Sequence, residues 1–257
     1  MRKRILAFIL IVAALTVGAT LLVTHFHSKN ASQNYTLVED GKLTVAMSVS
    51  FAPFEQYDEN GNPVGYDVAV AQEVAARLGL ECNIVNVPFS HVVGDVSKSK
   101  YDVGISAISI NPERSEKVDF TSPYYISDLA VVCKKGAFNS VSALKEENVA
   151  AQRSSTGYDY AVSNINKYTL PCADPKACFD AMEQGSVAAA VVDAPAARYL
   201  MVNGYTGYSI LETVATGEKY SIAVNKSNRP LTEAINEALR NMDEDGTLER
   251  LQKQYGL

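Results

Sequence analysis

Arg114 stands just beyond a stretch of small residues, Ser106, Ala107 and Ser109, and an arginine so placed can hold a carboxylate. Its planar guanidinium offers paired donors that match two carboxylate oxygens, and the small side chains leave room for a ligand to approach the backbone. The competing reading is a surface arginine that caps a helix or pairs with Glu113 or Glu116. Two other places carry complementary chemistry. Gln152-Arg153-Ser154-Ser155-Thr156-Gly157 links an expected strand to an expected helix, where free backbone N–H groups attract a carboxylate; Thr156 can equally cap its own helix. Asp193 ends the apolar run 188–192 and precedes Ala194-Pro195. That puts it at the carboxyl edge of a buried strand, where ligands bind in open α/β sheets, unless it only caps a helix over 196–202. An arginine and an aspartate at strand ends in different halves of the chain would suit a zwitterion, carboxylate on Arg114 and ammonium on Asp193. That is the chemistry of a free amino acid.

The elements that must position these residues alternate. A short apolar run at 43–48 reads as a strand, closed by Phe51-Ala52-Pro53-Phe54-Glu55, whose proline forbids continued pairing. The cluster 58–63 is a dense turn signal, after which Asp67 can cap a helix over 68–78 that ends at Gly79. A strand over 81–87, a helix over 90–99 and a strand over 101–110 follow, the last ended by a turn at Asn111-Pro112-Glu113, and then a strand over 128–134. The pattern restarts after Gly136: helix 141–145, strand 148–152, helices 158–165 and 177–185, strand 188–192, strand 220–224, and one amphipathic helical stretch over 229–254 broken at Asp245-Gly246. Such alternation predicts an α/β protein with mainly parallel sheets flanked by helices, in one large domain or two small lobes.

Met1-Arg2-Lys3-Arg4 precede an uncharged run over 5–23, long enough to cross a bilayer or to serve as a signal peptide. Residues 1–24 are therefore expected to be a signal-anchor or signal peptide, with the anchor favoured because no small-x-small cleavage site follows. Residues 25–42 read as a polar tether, and the remainder is expected outside the cytoplasm. The formal charge of −6 includes three N-terminal cationic residues, so the exported part carries −9, which argues against nucleic acid and other broad anionic partners. Four cysteines permit disulfides outside the cytoplasm. Cys172 and Cys178 bracket an Asp174-Pro175 turn and are the candidate pair, whereas Cys82 and Cys133 read as buried small hydrophobes. Neither His nor Cys spacing makes a metal site, and no cofactor is expected.

Several segments together resemble the extracytoplasmic solute-binding proteins of polar amino acid ABC importers, the glutamine-, histidine- and arginine-binding type (family 3). They are 51–55, Gly65-Tyr66-Asp67-Val68, Tyr101-Asp102 through Arg114, Val118-Asp119-Phe120-Thr121-Ser122-Pro123-Tyr124-Tyr125, Val192-Asp193-Ala194-Pro195 and Asp245-Gly246-Thr247. The resemblance implies a two-lobed periplasmic-binding-protein-like fold of type II. Lobe 1 would comprise 43–130 and 221–257, lobe 2 would comprise 131–220, and hinge strands would run near 127–133 and 216–220. It implies that Arg114 holds the ligand α-carboxylate with donors at Ser109 and Thr156, that Asp193 holds the α-ammonium, that Phe51 and Phe89 sandwich the ligand, and that Ser48 and Gln152 touch its side chain. The two aromatics can equally be core packing. Ser48 and Gln152 are neutral, which tilts the expected ligand toward a neutral polar amino acid such as glutamine over a basic one, although Glu55 or a loop carboxylate could serve the latter. The implied partners are ABC permease subunits, and the implied state is a monomer. No cysteine follows the apolar run to carry a lipid, a departure from the family pattern.

Two rival classes remain. An enzyme of the same fold, resembling cyclohexadienyl dehydratase, would need an acid or base in the cleft, for which His91 is the candidate. A ligand-sensing receptor domain is the other, opposed by the mere four residues before the apolar run.

Overall fold

Strand β1 (Lys42–Met47) begins the regular structure of a computed structural model that describes residues 35–257, within which Thr36–Leu257 form one unit. There follow, in chain order, β2 (Gln56–Tyr57), β3 (Pro63–Val64), α1 (Tyr66–Leu78), β4 (Glu81–Asn86), α2 (Phe89–Ser97), β5 (Val103–Gly104), α3 (Pro112–Lys117) and β6 (Asp119–Phe120). The chain continues through β7 (Tyr125–Lys134), β8 (Val149–Gln152), α4 (Thr156–Asn164), β9 (Leu170–Cys172), α5 (Pro175–Glu183), β10 (Ala189–Asp193), α6 (Ala194–Val202) and β11 (Tyr208–Tyr220). It closes with β12 (Ala223–Val224), α7 (Arg229–Glu244) and α8 (Thr247–Gln254).

Two five-stranded sheets organise these elements, one ordered β4-β1-β5-β12-β6 and the other β11-β7-β10-β8-β9. In the first, β4, β1 and β5 pair in parallel, while β12 runs antiparallel to β5 and β6. In the second, β10, β8 and β9 pair in parallel, while β7 runs antiparallel to both β10 and β11. The protein is thus α/β with two lobes, each built on one sheet flanked by helices. Strands β1, β8 and β10 are buried along nearly their whole length, as continuous apolar runs covered on both faces should be. The second sheet carries a separate apolar cluster on each face, one around Phe179 and Met182 and one around Leu144 and Ile165.

The last two helices return to the first lobe, where α7 and α8 pack on α1. Arg77 of α1 bonds Asp245 at 2.7 Å, so the Asp245-Gly246 break, with Gly246 at φ 75°, is pinned to the helix it packs against. Where the two sheets meet, the rings of Phe54, Tyr66, Tyr125 and Tyr220 pack edge to face and tilted, with centroids 5.3–6.2 Å apart.

Several sequence expectations are corrected. The tether does not extend to 42: Val38 N–H bonds Asp102 at 2.7 Å, and Asn228 bonds the Thr36 carbonyl at 2.7 Å, so the chain is tied down from Thr36. The strand expected over 101–110 is only Val103–Gly104, because Ala107 adopts φ 46° and gives its N–H to the Asp67 carboxylate, leaving the ladder. Asp67 accordingly does not cap α1, which starts one residue before it; Gly65 at φ 136° makes that start possible, since a Cβ there would lie 2.1 Å from the Phe54 carbonyl oxygen. Asn111-Pro112-Glu113 opens α3, with the Asn111 side chain accepting the Arg114 N–H. The long strand β11 was expected only at its end. The apolar segment expected over 1–24 lies outside the described residues, and among the described residues no helix is long and apolar enough to cross a membrane.

Candidate ligand-binding site

Arg114 sits on α3 and points inward, 8% exposed, while Glu113 takes Lys117 as its partner on the surface. The surface reading of Arg114 therefore fails. Its Nη1 donates to the Ser109 carbonyl and its Nη2 to the Ser154 carbonyl, both at 2.8 Å, so one guanidinium reaches backbone of both lobes. The guanidinium also lies over the Phe89 ring, 5.3 Å from its centroid. Both carbonyls come from irregular backbone: Ser154 has φ 62°, and Ser109 follows the φ 46° residue Ala107. Positive φ at non-glycine residues costs roughly 1–3 kcal/mol each and persists where the surroundings enforce it. Burial pushes the Arg114 guanidinium below its ordinary pKa, countered by nearby carboxylates, Glu218 first and then Asp159, Asp193 and Glu113.

Asp193 ends β10 and lies at the start of α6, yet its side chain makes no capping bond to that helix. It instead accepts a short hydrogen bond from the hydroxyl of Tyr220, a fully buried ring wedged against Phe54 and Tyr125. Burial raises the Asp193 carboxyl to about 7, with the charge of Glu218 adding to the rise and the bonds from Tyr220 and from its own backbone, then Arg114, opposing it. Thr156 does not cap α4 either. Ser155 does, accepting the Tyr158 N–H at 3.0 Å, which frees the Thr156 hydroxyl to point across the cleft.

Phe51, Phe89, Ala107, Ser109 and Arg114 from the first lobe and Gln152, Ser155, Thr156 and Asp193 from the second line one cavity between the sheets. The two residues proposed for opposite ends of a zwitterion thus face a common space. Its volume is about 10 Å³, too small to hold an amino acid with the lobes as they stand. Two larger recesses of about 510 and 500 Å³ flank it. Ser48 borders the first with Ser50, Asn86, Arg153 and Asp174, and Arg114 borders the second with Asp159.

Ser106, Glu55 and His91 fall elsewhere, and Gln152, which does line the cavity, has a partner of its own. Ser106 faces the core, where its hydroxyl donates to Glu55 at 2.5 Å and accepts the Ser48 N–H at 3.1 Å. Glu55 is fully buried and is not free to meet a ligand cation. Gln152 donates to the Ala173 carbonyl at 3.1 Å. His91 is exposed on α2 and does not line the central cavity. Cys172 and Cys178, the candidate pair, lie beside each other and are unbridged in the structure. They share a hydrogen bond that lowers the Cys172 thiol and, with burial, raises that of Cys178.

Two residues at the cleft were missed from sequence, Glu218 and Tyr220, both at the end of β11. The Oε2 of Glu218 accepts the Ser109 hydroxyl at 2.6 Å and the Thr156 hydroxyl at 2.9 Å, one from each lobe. Tyr220 carries a weak sequence signal as the one aromatic closing a short run without large apolar residues, Thr216-Gly217-Glu218-Lys219.

Residues 43–257 match the model of the bacterial extracellular solute-binding proteins, family 3. The chain belongs to that family. A curated relative, ABC transporter arginine-binding protein 1 of Escherichia coli (strain K12), is 27% identical over 219 residues, covering 83% of this chain and 90% of that protein. Among solved structures, an ancestral arginine-binding protein bound to glutamine superposes with a TM-score of 0.78 at 32% identity, covering 84% of this chain and 98% of the other. An ancestral amino acid-binding protein, described as a precursor of cyclohexadienyl dehydratase, superposes with a TM-score of 0.76 at 26% identity, over 84% of this chain and 95% of that one. As a member of this family, the chain is an extracellular solute-binding protein related to amino acid-binding proteins.

Proposed function

We propose that the protein binds a free L-amino acid outside the cytoplasm by closure of its two lobes and delivers it to the permease subunits of an ABC importer. The observation that carries the reading is that Arg114 and Asp193, of opposite charge and from different lobes, line one cavity. Arg114 holds the α-carboxylate, with the hydroxyls of Ser109 and Thr156, and Asp193 holds the α-ammonium. Phe51 and Phe89 flank the bound molecule. Its side chain extends toward the recess bordered by Ser48, whose wall carries one cation, Arg153, and one anion, Asp174. That balance suits a neutral polar side chain such as that of glutamine better than a basic one, while the related ancestral arginine-binding protein is found bound to glutamine in one solved structure and to arginine in another.

Closure moves the lobes about the paired strands β7 and β11, near 127–133 and 216–220, where their register breaks between Val214 and Glu218. Once shut, the cleft excludes water and each charge-assisted bond strengthens. The closed monomer is the form that the permease recognises, and residues 1–24 hold the protein at the membrane. The enzyme reading loses its candidate, since His91 is exposed and away from the central cavity.

Calorimetry tests the site. Removing one partner of a buried charge pair costs roughly 2–5 kcal/mol, so Arg114→Ala and Asp193→Ala should each weaken binding of the cognate amino acid by about 30-fold or more. A thermal-shift screen over the twenty amino acids identifies that ligand, because binding to the folded state alone raises the melting temperature. Unchanged affinity in both variants refutes the assignment.

A further inference from the structure

Ser109 and Thr156 were singled out as donors to a ligand carboxylate, and in the structure both hydroxyls already hold one. The Oε2 of Glu218 takes the Ser109 bond at 2.6 Å and the Thr156 bond at 2.9 Å. Because Ser109 belongs to the first lobe and Thr156 to the second, this single oxygen fastens the lobes to each other. Glu218 is also the carboxylate that acts most strongly on the buried Arg114 guanidinium. We propose that Glu218 is an internal stand-in for the ligand α-carboxylate: it occupies the hydroxyl pair that receives the ligand and must be displaced before an amino acid can bind.

The backbone around Glu218 suits such a movement. β11 leaves its register with β7 between Val214 and Glu218, and the preceding residue, Gly217, has φ 58° and bonds the Asp128 side chain at 2.9 Å instead of a ladder partner. Glu218 itself is half-buried, so one path out of its seat leads to water. Its neighbour two residues on, Tyr220, is fully buried and bonded to Asp193, so the strand is anchored just past the point where it can yield. A carboxylate arriving on a ligand offers the same two hydroxyls the same charge-assisted bonds and brings an ammonium for Asp193. The exchange therefore conserves the bonds to Ser109 and Thr156 and puts a zwitterion of no net charge where one negative charge stood beside Asp193.

The inference rests on the amino acid-binding reading for its ligand, but part of its test does not. In the full chain, Glu218→Ala removes the competitor and Glu218→Gln removes only its charge. With L-glutamine and L-arginine as probes in calorimetry, the amino acid bound by the parent should bind Glu218→Ala about tenfold more tightly, and Glu218→Gln by an intermediate factor. X-ray scattering without added amino acid reads the fastening directly: Glu218→Ala should show a larger radius of gyration than the parent. Unchanged affinity with an unchanged radius overturns the proposal, and so does weakened binding, which would make Glu218 a group that holds the ligand. If the parent binds neither probe, the choice of ligand class fails, and the radius still decides whether Glu218 fastens the lobes.

Discussion

Glu55 and Asp67 form one pair of acids inside the first lobe, Asp193 and Glu218 form another beside the cleft, and the two pairs are stabilised by different means. Both members of the first pair are fully buried with no cation among their hydrogen-bond partners. Asp67 accepts the Ala107 N–H at 2.5 Å and the Tyr124 hydroxyl at 2.8 Å, and Glu55 accepts the Ser106 hydroxyl. Burial first, then the charge of Asp67, raises Glu55 well above the usual carboxylate range, while burial raises Asp67 to about 6. Glu55 Oε2 and Asp67 Oδ1 are buried without a donor, and the closeness of the two acids favours a proton on Glu55. The second pair lies beside Arg114 and a cavity, and Glu218 is only half-buried. An acid pair closed off by fixed donors holds a loop in shape. One that borders a cleft and a guanidinium can exchange its partner for a ligand.

The largest effect that separates the pairs should come from Asp67→Ala. It leaves the Ala107 N–H and the Tyr124 hydroxyl without their acceptor, at roughly 1–3 kcal/mol for each buried donor. A loss of about 3 kcal/mol, or roughly 6–12 °C in melting temperature for a chain of this size, is expected in calorimetric melts. Ligand affinity should fall as well, since Ala107 leads into Ser109. A loss under about 1 kcal/mol would show that the first pair does not hold the loop.

Asp193→Asn should move stability the other way. The folded-state value of Asp193, about 7, lies above its ordinary value of 3.8, so its neutral form favours the fold. That contribution is fully present below pH 3.8 and is lost as the pH rises through about 7. The asparagine variant escapes this loss, so its melting temperature should exceed the parent's by several degrees at pH 8 and match it near pH 4, on the order of 1–3 kcal/mol at most. Amino acid binding should weaken by about 30-fold or more in the same variant. A variant that gains stability and loses its ligand places the cost of Asp193 in its function; one that loses both would place Asp193 with the structural pair.

The two pairs also differ in how far sequence disclosed them. Asp193 was legible because it ends an apolar strand, where a polar residue has few structural uses, and Arg114 and Thr156 because each follows a turn signal just beyond an expected strand. Asp67 was legible as a residue of interest but misread as a cap. Its position before an apolar periodic run looks the same whether the helix starts after it or one residue ahead of it, and only the tertiary contact with Ala107 decides. Ser106 was read as space for a ligand, and its hydroxyl turns to Glu55 because a buried acid needs a donor more than a small cavity needs a lining. Glu218 was invisible. β11 runs for 13 residues with two breaks of register, so its buried and exposed positions do not alternate, and nothing in its pattern says which side chain faces the cleft.

The smallest effect sharpens the comparison most. Glu55→Gln keeps an oxygen for the Ser106 hydroxyl and supplies a permanent N–H donor toward Asp67, reproducing what protonated Glu55 does. Stability near pH 4, where both the folded and the unfolded parent carry the proton, should therefore change by less than about 1 kcal/mol, within the range of well-tolerated substitutions. The difference should appear above that. A group whose folded-state pKa is raised stabilises the fold in full below its ordinary value, 4.5 for Glu55, and that contribution is lost as the pH climbs from there through the raised value. The parent should then lose stability that Glu55→Gln retains, and melts from pH 4 to pH 10 would show two curves that coincide at first and separate upward. Coincidence over the whole range would mean that Glu55 loses its proton near its ordinary value, so that two adjacent charges persist in the core. In that event both pairs would be ionised alike, and the distinction between a holding pair and an exchanging pair would have to rest on the cleft alone.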